Sequence, residues 1–346
     1  MNADWTQKDL HRRMAQLGAL MAGLPRVRLG FFPTPLTRLD SIGALLGHDR
    51  LYMKRDDLTG VSLGGNKVRG LEFLLGEALE LGATTVITGG GLQSNLCSLT
   101  AAACAKVGLE CVLVHNDSEP VRPGGIRGNM LLNHLFGAKE VFLGPVSEDE
   151  RARAMECLAR DIRRSGSIPY VIHNGASTPT GSLGYLGASL EVLEQSRRAG
   201  TALKHVVIVG AMGGTAAGFV FGAAMLGRPF HVHVISVEYP ESELRRRMGD
   251  LFSGLESLLG VTAPAPPEET MTIHDRYLGE GYGIPTPESA TAARAFAQRE
   301  GIILENVYTS KTAAGFLDLV ESGVIPRTEP AACFHTGGIG ALFSQD

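Results

Sequence analysis

Short runs rich in valine and isoleucine alternate with helical patterns along most of the chain, and this alternation restricts the possible folds more than any other feature. The first series predicts buried strands at 84–88, 110–115 and 139–143, with helices at 93–107 and 125–136. The second predicts a helix at 181–199, a strand at 205–209, a helix from 214 and a strand at 231–237. Because this alternation is typical of strands joined by helical crossovers, we expect an α/β protein with parallel sheets covered on both faces.

Two alternating series in 346 residues predict two α/β lobes. We assign residues 1–69 and 181–346 to a large domain, and residues 70–180 to a small domain inserted within it. The proline-rich stretch 261–269 interrupts both patterns and predicts an extended surface linker. Charged residues ahead of a short apolar run near the N-terminus favour an amphipathic helix over an export signal.

The composition favours small-molecule chemistry. A formal charge of -4 and a pI near 6.2 provide no basic surface for nucleic acid or for an anionic membrane. No apolar run approaches the ~20 residues needed to span a bilayer. The five cysteines form no Cys-x-x-Cys pair, and we interpret them as reduced thiols of a cytoplasmic protein. His231 and His233 share one face of a strand without further ligands at metal spacing, so no metal site is expected.

A single lysine follows a glycine pair in the segment Ser62-Leu-Gly-Gly-Asn-Lys-Val-Arg69. The glycines indicate a tight backbone turn, and Lys67 opens a predicted helix directly after it. A lysine held on such a turn, rather than on an open helix face, can form a Schiff base with an aldehyde cofactor.

A second glycine-rich segment, Gly89-Gly-Gly-Leu-Gln-Ser-Asn95, joins the strand 84–88 to an alanine-rich helix. Its Ser94 hydroxyl and the free N–H groups of the helix start would suit an anion such as a carboxylate. Taken alone, the motif is better explained as a simple N-cap, a position that serine and asparagine prefer.

The loop after strand 205–209 has three glycines, which let successive N–H groups converge on a phosphate. Its residues are Gly210, Ala211, Met212, Gly213, Gly214 and Thr215. The loop lacks the Gly-Lys-Ser/Thr ending of a P-loop. A dinucleotide site stays open, because Glu238 ends the next strand about where an acid would meet a ribose. The Gly-x-x-Gly-Gly spacing nevertheless favours a lone phosphate group over a pyrophosphate.

Two segments near the C-terminus place polar side chains where open α/β sheets usually bind ligands. Tyr308 and Thr309 precede a predicted helix, and Thr336 ends a strand ahead of two glycines. Each is explained by itself as a helix cap. Together with Lys67 and the two glycine-rich loops, they form a set that capping alone does not predict.

Eight blocks of sequence follow one another in the order of a known family. They are Phe32-Pro-Thr-Pro-Leu36, Lys54-Arg-Asp-Asp-Leu58, Gly64-Gly-Asn-Lys-Val-Arg69, Gly90-Gly-Leu-Gln-Ser-Asn95, Met212-Gly-Gly-Thr215, Gly281-Tyr-Gly-Ile-Pro285, Val307-Tyr308 with Lys311, and His335-Thr-Gly-Gly338. Through these blocks the chain resembles the fold-type II pyridoxal-phosphate enzymes, and within them the D-cysteine desulfhydrase and 1-aminocyclopropane-1-carboxylate deaminase family. The resemblance implies a two-lobed, tryptophan synthase β-like fold, whose large domain binds pyridoxal 5'-phosphate.

The resemblance also implies roles at the cofactor. Lys67 would bind it covalently, with Asn66 beside it in the same block. Asn95 would contact the phenolic oxygen of the ring, and the 210–215 loop would hold the phosphate. Thr336 matches a hydroxyl position near the pyridine nitrogen.

On the substrate side, the resemblance places Ser94, Asn95 and Leu96 at the substrate carboxylate. Tyr282 and Tyr308 would flank the substrate as proton-transfer or positioning groups. Lys67 or a tyrosine would remove the Cα proton. Catalytic roles are therefore expected for Lys67, Ser94, Tyr282 and Tyr308.

Two departures from the deaminase pattern bear on the substrate. Thr309 stands where the deaminases have a glutamate for the pyridine nitrogen, and Leu96 stands where they have a glutamine. A hydroxyl cannot keep the pyridine protonated as a carboxylate can, so the ring should be a weaker electron sink. A weak sink favours a substrate with a good leaving group on Cβ. We therefore expect D-cysteine to be converted to pyruvate, sulfide and ammonia.

Several alternatives stay open at this point. The substrate can be the cyclopropane amino acid or another β-substituted amino acid such as cysteate, and a synthase can add a nucleophile instead of releasing the product. From other classes, a nicotinamide-dependent oxidoreductase would use Glu238, and a sensor would keep the pocket without catalysis. The resemblance further implies a homodimer.

Overall fold

The computed structural model describes residues 7–118 and 126–344. Its helices are α1 (Gln7–Ala22), α2 (Asp40–Leu46), α3 (Lys67–Glu80), α4 (Asn95–Val107), α5 (Asn129–Leu135), α6 (Glu148–Arg164), α7 (Pro179–Arg198), α8 (Gly214–Met225), α9 (Glu241–Leu259), α10 (Pro267–Thr270), α11 (Pro287–Glu300) and α12 (Thr309–Glu321). Its strands are β1 (Leu36–Arg38), β2 (Leu51–Arg55), β3 (Thr85–Gly90), β4 (Glu110–His115), β5 (Lys139–Phe142), β6 (Pro169–Ile172), β7 (His205–Gly210), β8 (His231–Ser236), β9 (Met271–His274) and β10 (Ala331–His335). Within the described ranges, no helix is long and apolar enough to cross a membrane.

The larger of two sheets has six strands in the order β1-β2-β10-β7-β8-β9. Neighbouring strands are parallel except for β1 and β2, which pair antiparallel at one edge. Helices α7, α8 and α9 pack on one face, and α11 and α12 pack on the other. Both faces are therefore covered, as an apolar parallel sheet requires.

The smaller sheet has four parallel strands in the order β5-β4-β3-β6. Helices α3 and α4 cover one face, and α6 covers the other. All four strands fall inside the small domain assigned to residues 70–180. The exact domain boundaries stay a prediction.

The strands predicted from the alternating patterns are confirmed to within two residues at each end. Helix α5 begins at Asn129, four residues later than the predicted start, and Gly125 lies outside the described residues. The predicted linker at 261–269 is wrong in part, because α10 begins at Pro267 and Ala265 is buried. Proline is well tolerated at the first position of a helix, where no N–H is needed.

One of the two histidines of β8, His233, belongs to a hydrogen-bonded row across the large sheet, whereas His231 is hydrogen-bonded to Thr272 at 2.9 Å. His233 lies between His205 and His274, with ring nitrogens 3.0 and 3.1 Å apart. Burial, aided by the neighbouring imidazoles, lowers the pKa of His233 to about 3. Among residues 7–118 and 126–344, no group of three or more His, Cys, Asp or Glu side chains is arranged to hold a metal ion.

Candidate active site

A cavity of about 490 Å3 lies where the two sheets meet. Residues that follow β3, β4, β7, β8 and β10 line it, at the carboxyl ends of parallel strands where such sheets bind ligands. The residues expected at the site that line the cavity are Asn66, Lys67, Ser94, Asn95, Leu96, Ala211, Met212, Gly213, Gly214, Thr215, Tyr282, Tyr308 and Thr336.

Lys67 is the first residue of α3, and its side chain forms part of the cavity wall. The Nζ atom donates a hydrogen bond of 2.6 Å to the carbonyl oxygen of Gly175. Burial lowers the pKa of Lys67 to about 8, against the opposing effect of the Glu238 carboxylate. The amine is therefore partly neutral, and so both nucleophilic and basic, close to physiological pH.

The start of α3 is fixed by close packing and by buried ion pairs. A Cβ at Gly70 would lie 2.5 Å from the carbonyl oxygen of Gly181, so glycine is needed where α3 meets α7. The Arg69 guanidinium binds Asp56 at 2.8 and 2.7 Å and Glu191 at 2.9 Å. Burial by itself would raise the pKa of Asp56, but Arg69 holds it below its ordinary range. Lys67, two positions before Arg69, is thereby held in place.

The loop after β3 brings Ser94 and Asn95 to the cavity. Ser94 is the N-cap of α4, and its Oγ accepts a hydrogen bond of 3.3 Å from the N–H of Cys97. A Cβ at Gly90 would lie 2.6 Å from that Oγ, so the glycine makes room for the serine. Asn95 Oδ1 accepts a hydrogen bond of 2.8 Å from Asn129, which leaves the Asn95 amide NH2 as a donor.

The loop after β7 leads into α8 through Gly213, which has a φ of 96°. The N–H of Gly214 donates to Ser177 Oγ at 3.3 Å, and Asn66 Nδ2 donates to Thr215 Oγ1 at 2.9 Å. The N-terminus of α8 therefore faces the cavity beside the residue that precedes Lys67. Such an end, with its N–H groups and positive dipole, is suited to a phosphate.

Tyr282 and Tyr308 form a hydroxyl pair at the cavity. Their hydroxyl groups are hydrogen-bonded to each other, and their ring centroids lie 5.7 Å apart at an interplanar angle of 65°. Burial raises the pKa of Tyr308 well above its ordinary value. Tyr308 therefore keeps its proton at neutral pH and is not a phenolate.

Comparison with known proteins identifies the family. The model of a family described as pyridoxal-phosphate dependent enzyme matches residues 27–337. The chain belongs to this family. A Yersinia pestis protein named D-cysteine desulfhydrase is 37% identical over 322 residues, which are 92% of this chain and 96% of that protein.

Two further similar proteins are named after 1-aminocyclopropane-1-carboxylate (ACC) deaminase. A Pyrococcus horikoshii protein whose name carries 1-aminocyclopropane-1-carboxylate deaminase is 37% identical over 325 residues, 94% of this chain and 95% of that one. The crystal structure of an ACC deaminase homologue has a TM-score of 0.84 at 35% identity, and covers 95% of this chain and 96% of that one. The expected fold-type II class and the pyridoxal-phosphate cofactor are thereby confirmed.

The cavity fits this cofactor. Lys67 would supply the amine for its aldehyde, and the N-terminus of α8 would supply donors for its phosphate. The Asn95 amide and the Thr336 hydroxyl would supply neutral polar groups for the ring. A Cβ at Gly338 would lie 2.9 Å from Asn95 Nδ2, so this glycine keeps the space around the amide open.

Two residues expected at the cofactor, Gly210 and Thr309, lie outside the cavity lining, and their roles there stay predictions. Gly210 is the last residue of β7, and a Cβ there would meet Leu244 at 2.6 Å, so it faces α9 instead. The Thr309 hydroxyl accepts a hydrogen bond of 2.8 Å from the Glu305 N–H and lies 3.1 Å from the Glu305 carboxylate. It therefore belongs to the start of α12 and not to the cavity.

The lining residues that were not expected at the cofactor or substrate include Asn116, Glu148, Arg151, Asn174, Ser177 and Glu305. The strand-end rule would have found Asn116, which directly follows β4. Arg151 lies in the highly charged helix α6, where the sequence does not distinguish a cavity residue from a solvated one. Glu238, considered above for a ribose, lines the same cavity, and the family match removes the nicotinamide alternative.

Proposed function

We propose that the protein is a pyridoxal-phosphate-dependent lyase that eliminates a leaving group from Cβ of a small amino acid, with D-cysteine as the first candidate. The observation that carries the proposal is the buried Lys67 amine, with a pKa of about 8, in the same cavity as the Ser94 loop and the tyrosine pair. The names of the Yersinia and Pyrococcus relatives support the substrate class.

The proposed reaction assigns a separate task to each group of cavity residues. When bound, pyridoxal phosphate draws electrons from Cα of an attached amino acid and so acidifies the Cα–H bond. The Lys67 amine would accept that proton, because a good part of it is neutral near pH 8. The N-terminus of α4, capped by Ser94, holds the substrate carboxylate, and the tyrosine hydroxyls donate a proton to the leaving group.

The polar groups near the ring favour elimination over ring opening. The Glu305 carboxylate accepts hydrogen bonds from the N–H groups of residues 307, 308 and 309 and is therefore engaged at the start of α12. The Thr336 hydroxyl is left as the partner expected for the pyridine nitrogen. A neutral hydroxyl supports a weaker electron sink than a carboxylate, and this suits a good leaving group such as thiolate.

The test is product analysis with purified holoenzyme. We expect D-cysteine to yield pyruvate and sulfide in equal amounts, and L-cysteine to yield neither. The Lys67→Ala variant should lose turnover, while Lys139→Ala, which removes an exposed lysine, should not. Formation of 2-oxobutanoate from 1-aminocyclopropane-1-carboxylate, without sulfide from cysteine, would replace the proposal with deamination.

Two rivals of the same cofactor class are separated by the same assay. A synthase would make a new β-substituted amino acid when a thiol is added, at the expense of pyruvate. A binding protein without catalysis would give no product with any candidate substrate, although it would still be yellow and lose its visible absorption on borohydride reduction.

We also propose that the protein is a cytoplasmic homodimer with the two domains assigned above. The family resemblance supports the dimer, and mass measurement in solution tests it. Free thiols at all five cysteines, four of them buried, agree with a reducing compartment.

A further inference from the structure

A buried arginine lines the cavity and has no role in the chemistry described above. Arg151 lies in the first turn of α6, and only 3% of its surface is exposed. Its two terminal nitrogens donate hydrogen bonds to Asn116 Oδ1 at 2.6 Å and to Asn174 Oδ1 at 2.8 Å. A Cβ at Gly89 would lie 2.9 Å from Arg151 Cδ, so the glycine at the end of β3 makes room for this side chain.

Among the described residues, no carboxylate is hydrogen-bonded to this arginine. Among the residues that the structure describes, its ion-pair partner within 4 Å is Glu148, at 3.7 Å and with 53% of its side chain exposed. The two asparagine oxygens are neutral acceptors. A buried cation is costly unless an anion pairs with it, and a guanidinium offers five donors in a planar fork that matches an acid group.

The arginine is also close to the reacting amine. Its partner Asn174 directly precedes Gly175, whose carbonyl oxygen accepts the hydrogen bond from Lys67 Nζ. The N-terminus of α4, which suits the substrate α-carboxylate, lies on the same cavity. A small amino acid can therefore place its α-carboxylate at α4 and a second acid group at Arg151.

We propose that Arg151, oriented by Asn116 and Asn174, is a specificity-determining residue that binds an acid group on the β-substituent of the substrate. This inference rests on the proposed function and narrows its substrate class to alanines whose β-substituent is already negatively charged in the free substrate, such as a sulfonate, so that cysteate replaces D-cysteine as the first candidate. In that elimination Cα loses its proton, and the Cβ–S bond breaks with its electron pair going to sulfite. Water then hydrolyses the remaining enamine to pyruvate and ammonium.

Three other roles for Arg151 give different results. Arg151 can bind the α-carboxylate, in which case its replacement lowers kcat/KM equally for all substrates. It can assist the cofactor phosphate, because Asn174 Nδ2 also lies 3.8 Å from the sulfur of Met212 in the phosphate loop. The pocket can instead prefer a cationic substituent, because Glu148 and Glu238 line it too.

The experiment compares holoenzymes with a series of leaving groups. Wild type, Arg151→Gln and Arg151→Lys are assayed with cysteate, neutral β-chloroalanine and cationic 2,3-diaminopropionate, each as both enantiomers. We expect Arg151→Gln to lower kcat/KM for cysteate about 10- to 100-fold, mainly through KM, and to change β-chloroalanine less than about threefold. Arg151→Lys should recover part of the loss. Arg153→Gln, an exposed arginine on the same helix, is the matched control and should change neither substrate.

Two binding measurements do not depend on turnover. Calorimetry should show that wild-type holoenzyme binds 3-sulfopropanoate more tightly than propanoate, and that Arg151→Gln loses this difference. The affinity of the apoenzyme for pyridoxal phosphate should be the same in wild type and in the variant.

Several outcomes would overturn the inference: equal losses for cysteate and β-chloroalanine, a loss of cofactor affinity with charge preference retained, or a wild-type preference for diaminopropionate. If the wild type turns over none of these substrates and D-cysteine gives no pyruvate either, the proposed function fails. The sulfopropanoate comparison still decides the role of Arg151 in that case.

Discussion

One amine in the cavity has an environment that makes its neutral form more accessible than in an ordinary lysine. Lys67 Nζ lines the cavity and donates to a backbone carbonyl, and burial lowers its pKa to about 8. In the cofactor-free protein, we expect competitive acetylation of Lys67 to reach half its plateau rate near pH 8. An ordinary lysine does so near 10.4. The sign follows from the chemistry, because the neutral amine is the reactive form and increases as pH rises.

Exposed Lys139 serves as the internal reference in the same digest. Glu238→Gln should move the Lys67 midpoint to lower pH, because the Glu238 carboxylate opposes the effect of burial on that pKa. A midpoint for Lys67 that coincides with that of Lys139 would show that the amine is solvated and would contradict the proposed geometry.

The tyrosine pair leads to a second prediction for single residues. Tyr308→Phe removes the hydroxyl that is hydrogen-bonded to Tyr282, and kcat for the elimination should fall about 10²–10⁴-fold, the usual share of a placed proton donor. The KM should change little, because the ring and its packing stay. Tyr52→Phe is the control, since Tyr52 bonds Thr201 at 2.9 Å and lies outside the cavity lining. Unchanged kcat in Tyr308→Phe would remove the pair from the mechanism.

The sequence predicts those site residues that lie next to a recognisable motif, such as a run of glycines. Lys67 follows a glycine pair, and Ser94 follows the glycines at the end of β3; both patterns are visible without a structure. Arg151 carries no such mark, because the same charged helix places Arg153 in solvent and Arg151 in the cavity. For a related reason the sequence does not show that the Thr309 hydroxyl lies beside Glu305, because one helical position separates it from Tyr308, which lines the cavity.

At the scale of the helix, α3 is anchored by charges that are almost fully buried. Arg69 and Asp56 are 4% and 0% exposed, and Tyr185 also donates to Asp56 at 2.5 Å. Arg69→Ala leaves the Asp56 carboxylate buried without its main partner, and should reduce the free energy of unfolding by about 3–5 kcal/mol. Urea unfolding at pH 7 measures this.

Arg164→Ala is the matched control, because Arg164 and Asp161 form an exposed pair at 2.9 Å and should contribute less than about 1 kcal/mol. The pH dependence has a defined sign. The pKa of Asp56 is held below its ordinary value of about 3.9, so its stabilisation is present above that pH and is lost as pH falls further. The gap between wild type and Arg69→Ala should therefore narrow in acid. Equal effects of the two variants at pH 7 would contradict the anchor.

Elements with a strong local pattern were predicted, and those defined by distant pairing were not. The Val- and Ile-rich strands β4, β7 and β8 are read directly from their composition. Strand β1 has three residues, and β2 obtains its position by pairing with β10 from the far end of the chain. Because periodicity describes one segment at a time, it cannot show which distant segment completes a sheet.

At the scale of the whole molecule, the cavity is lined by loops from both sheets. The small sheet contributes the loop after β3, the large sheet contributes the loops after β7 and β10, and α3 carries Lys67 between them. A ligand held by all of these should couple the two lobes. Closure over a substrate is then expected, because both walls must approach the same molecule.

Cofactor removal tests this coupling by hydrogen exchange. Adding pyridoxal phosphate to the apoenzyme should slow amide exchange in both 89–98 and 211–216, which follow strands of different sheets, and leave α11 unchanged.

The cofactor should also stabilise the fold. At a free concentration of 100 times Kd, it should add about 2.7 kcal/mol to the free energy of unfolding. In Lys67→Ala the proposed covalent attachment would be lost while the 210–215 loop would stay, so we expect protection of 211–216 to persist at higher concentration and that of 89–98 to weaken. If the wild type shows protection in one sheet alone, the cofactor does not bridge the lobes, and the substrate site must be assembled by the substrate itself.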